Sequence, residues 1–482
     1  MPILNLNTGE SHPDTFFPDQ AFYYACYDGD LVQVERSLAG GVNVNAVIHN
    51  GQTALMIASY RGHKAIVERL INAGANLNAA AEAGAAALFV AAQENNTDCV
   101  KLLINAGADL NAGTEDGSTP LSMAAQLGNT DCVRALIEAK ANLNVKDKDG
   151  NTPLLIAAAK GKTDCVKALI EAKADLNAGP KYGVTPLLLA AQENNADCMK
   201  ALIKAGADIN TRTEDGITPL YVAALNNSID CVKLLINAGA DLNPRSESGS
   251  TPLHIAARKN HTGCLKLLIN AGADINARKK NGAAPLYIAA QENHIDCMKL
   301  LINAGADIDA QTEDGASPLF MAAQENHIDC LKLLINEGAD LNAVWIENGA
   351  TPLFIAAQEN NIDCLKLLIN AGADLNHQTK YRTTALHIAA EMGNTECVKL
   401  LIRAGADINI PSENGRTPLF IAAQKDNTDC VKLLINAGAD LNAALSDGTT
   451  PLAIATEMGN ANCARLLMNA GARQETEAMQ GR

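Results

Sequence analysis

The sequence predicts an all-α protein, an α-solenoid of helix-turn-helix units joined by extended finger loops. Three observations carry this. Gly51, Gly84, Gly117, Gly150, Gly183, Gly216, Gly249, Gly282 and Gly315 recur at 33-residue spacing; Gly349 follows after 34, and Gly415 and Gly448 restore the period beyond Arg382. Each unit holds two short apolar segments with helical start and stop signals. No linker, Ser/Gly tract or composition shift interrupts the series, so the 482 residues read as one array rather than several domains.

The unit from Gly117 to Asp149, "GSTPLSMAAQLGNTDCVRALIEAKANLNVKDKD", shows the logic. Thr119 is an N-cap residue, and Pro120 suits the first helical position, where no N–H is needed. "LSMAA" then gives a first helix of about two turns, with Ala124 and Ala125 small enough for close approach of a neighbour. Gly128 marks the turn. Asn95, Asn194, Asn227, Asn260, Asn293, Asn326 and Asn360 hold the same phase elsewhere. Gly and Asn are the residues that tolerate positive φ. "TDCVRALIEA" is a second helix, apolar at i, i+3/i+4. A Gly such as Gly107 or Gly239 usually ends it, and "ADLN" leads into the finger.

This pattern resembles the ankyrin repeat. Gly, then Thr-Pro-Leu, then paired alanines, then Gly-Ala-Asp is legible in most units. "GSTPLHIAARKNHTGCLKLLINAGADINARKKN" from Gly249 shows it well, with His254 in the family's His place. The resemblance covers roughly residues 19–472 and implies a curved superhelix, its concave face built from first helices and finger tips and used to bind another protein. The expected organisation is a leader at 1–18, a degenerate capping repeat at 19–50, thirteen repeats as one continuous array at 51–472, and a polar tail at 473–482. In the cap, Phe16, Phe17, Phe22, Tyr23 and Tyr24 replace the alanine-rich pattern and can cover the first full repeat.

Composition limits the partners. Net charge is −16, which disfavours nucleic acid and anionic membrane. The N-terminus lacks the basic and apolar regions of a Sec signal, and no apolar run approaches the ~20 residues needed to span a bilayer. A cytoplasmic protein is expected, with export by a route needing no N-terminal signal as the alternative.

Thirteen cysteines stand out. Twelve, from Cys99 to Cys463, occupy one phase of the second helix, where the first full repeat has Ile66. The position reads as core. Stacked helices lie about 8–10 Å apart, too far for the roughly 4.4–6.8 Å Cα separation of a disulfide, and no C-x-x-C pair offers a zinc site. Metal and cofactor are not expected.

Two surface files are candidates for partner binding. Tyr221, Tyr287, Phe320, Phe354 and Phe420 recur at one phase of the first helix, either packing on the next repeat or lining the concave side. Glu292, Glu325 and Glu359 follow paired alanines and Gln, either as a solvated rim or as a ladder favouring a basic partner. Trp345, the only Trp, lies beside the extra residue in "NAVWIEN" and either contacts a partner or covers the bulge. Lys140 and Lys173 stand where Gly usually ends the second helix, and positive φ there would cost about 1–2 kcal/mol each.

Catalysis has no motif: no G-x-S-x-G, P-loop or H-E-x-x-H occurs. The expectation is a non-catalytic, monomeric scaffold that binds a protein partner. The alternatives are an effector delivered by a bacterium into a eukaryotic host cell, and a structural spacer. The resemblance also implies that Asn111, Asn243, Asn342 and Asn442 match finger asparagines open to hydroxylation in an animal cell.

Overall fold

The computed structural model describes residues 18–473. Phe16, Phe17, the rest of the leader to residue 17 and the tail from 474 lie outside the described residues. Those described form 28 α-helices and no strand, with a single isolated bridge between Val47 and Thr53. The chain forms two compact units, Met1–Ser246 and Glu247–Arg482, built on the same plan.

In the first unit, the repeat from Gly117 has helices Pro120–Leu127 and Thr130–Glu138. The Thr119 hydroxyl accepts from the Ser122 N–H, and Gly128 closes the helix at φ 86°. First helices pack on first helices and second helices on second helices, giving two layers with Leu121, Ala124, Ala125, Val133 and Leu136 buried between them. Within the cap, Phe22 and Tyr23 are buried, while Tyr24 remains exposed. The Tyr23 hydroxyl donates to Gln52 Oε1 at 2.6 Å, tying the cap to the first full repeat.

Three polar ties bind successive repeats. The first captures the end of most first helices; after Pro120–Leu127 the phase is held by Lys162. Asn129 Nδ2 donates to Ala92 O (2.8 Å) and Gln93 O (2.9 Å), the last carbonyls of the preceding repeat's first helix, Ala87–Gln93. Asn96 and Asn195 do the same in this unit. In the second unit Asn361, Asn394, Asn427 and Asn460 repeat it, and the His294 and His327 rings hydrogen-bond one such carbonyl each. Ser228 is too short for the role; Asn226, two residues earlier, reaches Gln192 O instead, at 2.8 Å.

The second tie runs along the fingers. Asn111 Oδ1 accepts from the Asn142 N–H, Asn144 from Asp175, Asn376 from Asp407 and Asn409 from Asp440, each at 2.9–3.0 Å. The Asp side chain in turn accepts from the Asn N–H two residues on, as Asp109 does from Asn111. Third, most finger tips donate a backbone N–H to the one before: Lys148 to Asp116 O, Ile346 to Asp314 O, Glu413 to Tyr381 O.

All thirteen cysteines are free and buried, and they do more than fill space. Where the preceding turn carries Asn, the thiol donates to its Oδ1, as in Cys330 to Asn293 at 3.1 Å and Cys297 to Asn260 at 3.3 Å. Where that turn is Gly128 or Gly161, no such acceptor exists, and Cys165 and Cys198 lie against the Thr130 and Thr163 hydroxyls instead. Burial pushes the Cys297 thiol up to about 12, with Asp296 adding to the rise. It pushes Cys264 up to about 11. Thiols held so far above their ordinary range form little nucleophilic thiolate.

His254 and His387 are buried and complete capping boxes with Thr251 and Thr384. His387 Nε2 meets Arg416 O in the next repeat at 3.2 Å, and burial pushes its imidazole down to about 4. A lowered folded value means the neutral ring is the folded form. Its contribution is fully present above the unfolded pKa near 6.5 and is lost as pH falls towards 4. His387→Phe, with the residue that Phe354 and Phe420 place at this phase, is therefore expected to remove about 2 kcal/mol of destabilisation between pH 7.5 and pH 5. Denaturant midpoints of the two proteins at both pH values check this; parallel pH dependences would contradict it.

Lys140 and Lys173 sit at φ 68° and 65°, in the left-handed region. At the sibling positions Gly107 and Gly206 a Cβ would meet nothing within 4 Å. The cost of lysine is thus one of φ alone, not of crowding. Lys140→Gly and Lys173→Gly are each expected to stabilise the protein by about 1 kcal/mol, visible as a raised urea midpoint. An unchanged or lowered midpoint would show that no strain is stored there.

Candidate partner-binding surface

The first helices end at the surface in Gln-Glu pairs. Glu292, Glu325 and Glu359 are exposed and sit at the C-caps of the first helices of three successive repeats, Pro285–Gln291, Pro318–Gln324 and Pro352–Gln358. Gln358 Nε2 donates to Glu359 Oε1 at 2.9 Å. With helices about 10 Å apart, this places one carboxylate per repeat step. In the first unit Glu94 and Glu193 hold the phase, but Leu127 and Lys160 separate them.

The aromatic file divides. Phe420, Phe320, Phe354 and Tyr287 are only 1%, 3%, 7% and 9% exposed. Their rings lie within the stack. The reason is their place on the first helix: the adjoining paired alanines bring the neighbouring helix close and leave the ring no outlet. Tyr221, in the first unit, is half-buried.

Trp345 lies at the inserted residue of its finger. In the preceding finger Thr312 N–H donates to Ala316 O and Gly315 N–H to Thr312 O. With one more residue, Trp345 N–H reaches Ala350 O at 2.9 Å and Gly349 N–H reaches Trp345 O at 2.7 Å. The wider turn expels Ile346, 54% exposed. Trp345 itself is half-buried, its ring 6.0 Å from Phe320 at 41°. The Thr312 hydroxyl, and then the nearby Trp345 indole, keep the Asp314 carboxyl below its usual range. Burial, then the Asp314 and Glu325 charges, push the Tyr287 hydroxyl up to about 12. Trp345, Tyr287, Asp314 and Glu325 thus form one neighbourhood in the second unit.

Periodicity alone does not reveal the exposed tips. Ile346 and Tyr381 project from successive fingers joined by Lys380 N–H to Asn348 O at 2.8 Å. The usable signal was the break in pattern: an inserted residue in one finger, and "KYR" in place of the common acidic-Gly tip in the next. Among the described residues no group of three or more His, Cys, Asp or Glu is placed to hold a metal. None of their helices is long and apolar enough to cross a membrane.

The geometry agrees with comparison to known proteins. The family model for ankyrin repeats in three copies matches overlapping segments from 22–114 to 386–478. The solved human ASB11 ankyrin repeat domain is similar at 30% identity, over 46% of this chain and 98% of that one, with a TM-score of 0.41. No curated relative matches the chain. Paired helices at a 33-residue period, capped and turned as described, and a family model spanning nearly all of them place the chain in the ankyrin-repeat family.

Proposed function

We propose that the chain is a non-catalytic scaffold that binds a protein partner through its first helices and finger tips, and that the partner presents a basic surface there. The observation that carries this is the exposed row Glu292, Glu325 and Glu359 beside a half-buried Trp345 whose ring packs against Phe320. The finger and turn asparagines are used in holding repeats together, whereas these carboxylates face solvent. A rigid surface loses little ordering entropy on binding, and the net charge of −16 favours encounter with a cationic partner. The free thiols fit a reducing compartment such as the cytoplasm, and a monomer leaves the surface open.

Charge reversal tests this without touching the core. Glu292→Lys/Glu325→Lys/Glu359→Lys is expected to keep the unfolding midpoint and to weaken capture of the native partner at least tenfold, about 1.4 kcal/mol over three rim charges. Equal capture by both proteins would remove this surface from consideration. Phe320→Ala and Phe354→Ala would report on stability instead, since both rings are buried.

A further inference from the structure

The second-helix layer of the first unit carries a feature that the surface above does not use. An open groove of about 660 Å³ runs between the helices Thr163–Glu171 and Ala196–Lys204. Its origin is legible in the chain. Most second helices carry a half-buried leucine at one phase, as at Leu102, Leu234 and Leu300, whereas Ala168 and Ala201 stand there in these two. The helices remain stacked, and the missing side chains leave a trough floored by Ile170, Ala201 and Ala205.

The charges along it are unusual for this molecule. In most second helices the lysine pairs with the acid three residues earlier, as in Lys233–Asp230 and Lys432–Asp429. Lys167 on one wall follows that rule with Asp164 at 3.5 Å, and Glu171 pairs with Arg134 at 3.8 Å. On the other wall Lys200 and Lys204 form no ion pair among the described residues, while Asp197 sits in the first turn of its helix, complementing the dipole there. Two exposed ammonium groups one turn apart thus stand beside an apolar floor, in a chain of net charge −16.

We propose that this groove seats an amphipathic helix of a partner, its apolar side chains over Ile170, Ala201 and Ala205 and its carboxylates, about one turn away, facing Lys200 and Lys204. A trough between two parallel helices matches a rod laid along it. Knobs spaced i, i+3/i+4 and i+7 reach such a floor from one helix face, and the unpaired lysines select acidic flanks.

Two synthetic helical peptides test this on the full chain by fluorescence anisotropy. Both carry leucines at i, i+4 and i+7; one has glutamates flanking the stripe, the other lysines. The glutamate peptide is expected to bind at least tenfold more tightly than the lysine peptide. Ala201→Leu, which installs the residue found at this phase in sibling repeats, is expected to weaken it at least tenfold with an unchanged melting curve, and Lys200→Glu/Lys204→Glu to invert the preference. Equal binding of the two peptides, no binding of either, or affinity indifferent to Ala201→Leu would overturn the proposal. So would dimerisation of the chain that Ala201→Leu abolishes, which would make the occupant a second copy. The triple glutamate reversal at 292, 325 and 359 is expected to leave peptide binding intact, so this site and the first-helix surface stand or fall separately.

Discussion

Most first helices end in carbonyls that their own repeat cannot satisfy, and the next repeat satisfies them. Asn195 Nδ2 reaching Ala158 O and Ala159 O is the unit interaction of this protein. A helix of seven or eight residues is marginal in water, so its closing carbonyls depend on an outside donor. The donor sits 36–37 residues along the chain, one full period and a few residues away. A repeat with these dimensions therefore has no complete hydrogen-bond inventory alone. Leaving such a group buried and unpaired costs about 1–3 kcal/mol, which makes stacking obligatory rather than opportunistic. The finger asparagines and the thiols extend the same rule: in each case a side chain of one repeat answers a polar group of its neighbour.

This accounts for the recurrence of the same polar residues at the same phases. Cys330 finds its acceptor at Asn293, which sits at positive φ, so the turn residue sets the thiol's partner. Where the turn becomes glycine, the thiol turns to threonine. The cost of breaking such a rule is local, because stability in a repeat array is close to a sum of nearest-neighbour terms. Lys140 and Lys173 can be carried by the array for that reason.

Much of the fold could be read before any coordinates. Thr119, Pro120 and Gly128 define a helix by capping chemistry alone, and the observed helix Pro120–Leu127 follows them. The asparagine turns were equally plain, and the lysines at the Gly phase marked where positive φ would be strained, since both rest on backbone sterics. The role of Asn129 was not, although Asn or His recurs there, because a side-chain tie to a carbonyl 36–37 residues earlier has no periodic signature of its own. Phe320 and Phe354 were ambiguous for a different reason: helical spacing places a ring on a helix face but does not say how closely the next helix covers it. The Glu row was visible as residues, and its exposure follows from a C-cap position that points past the stack. What the surface binds depends on a partner's chemistry, to which the chain contributes only charge and shape.

The obligatory nature of the clamp is tested most directly at Asn195. Asn195→Ala and Asn195→His are compared by urea unfolding and by hydrogen exchange resolved along the chain. The alanine variant is predicted to lose about 2 kcal/mol, with faster exchange confined to the repeats on either side of the lost tie. The histidine variant, carrying the ring that His294 and His327 use for the same carbonyl, is predicted to keep most of that stability. An alanine variant as stable as the parent, or a histidine variant as weak as alanine, would contradict it.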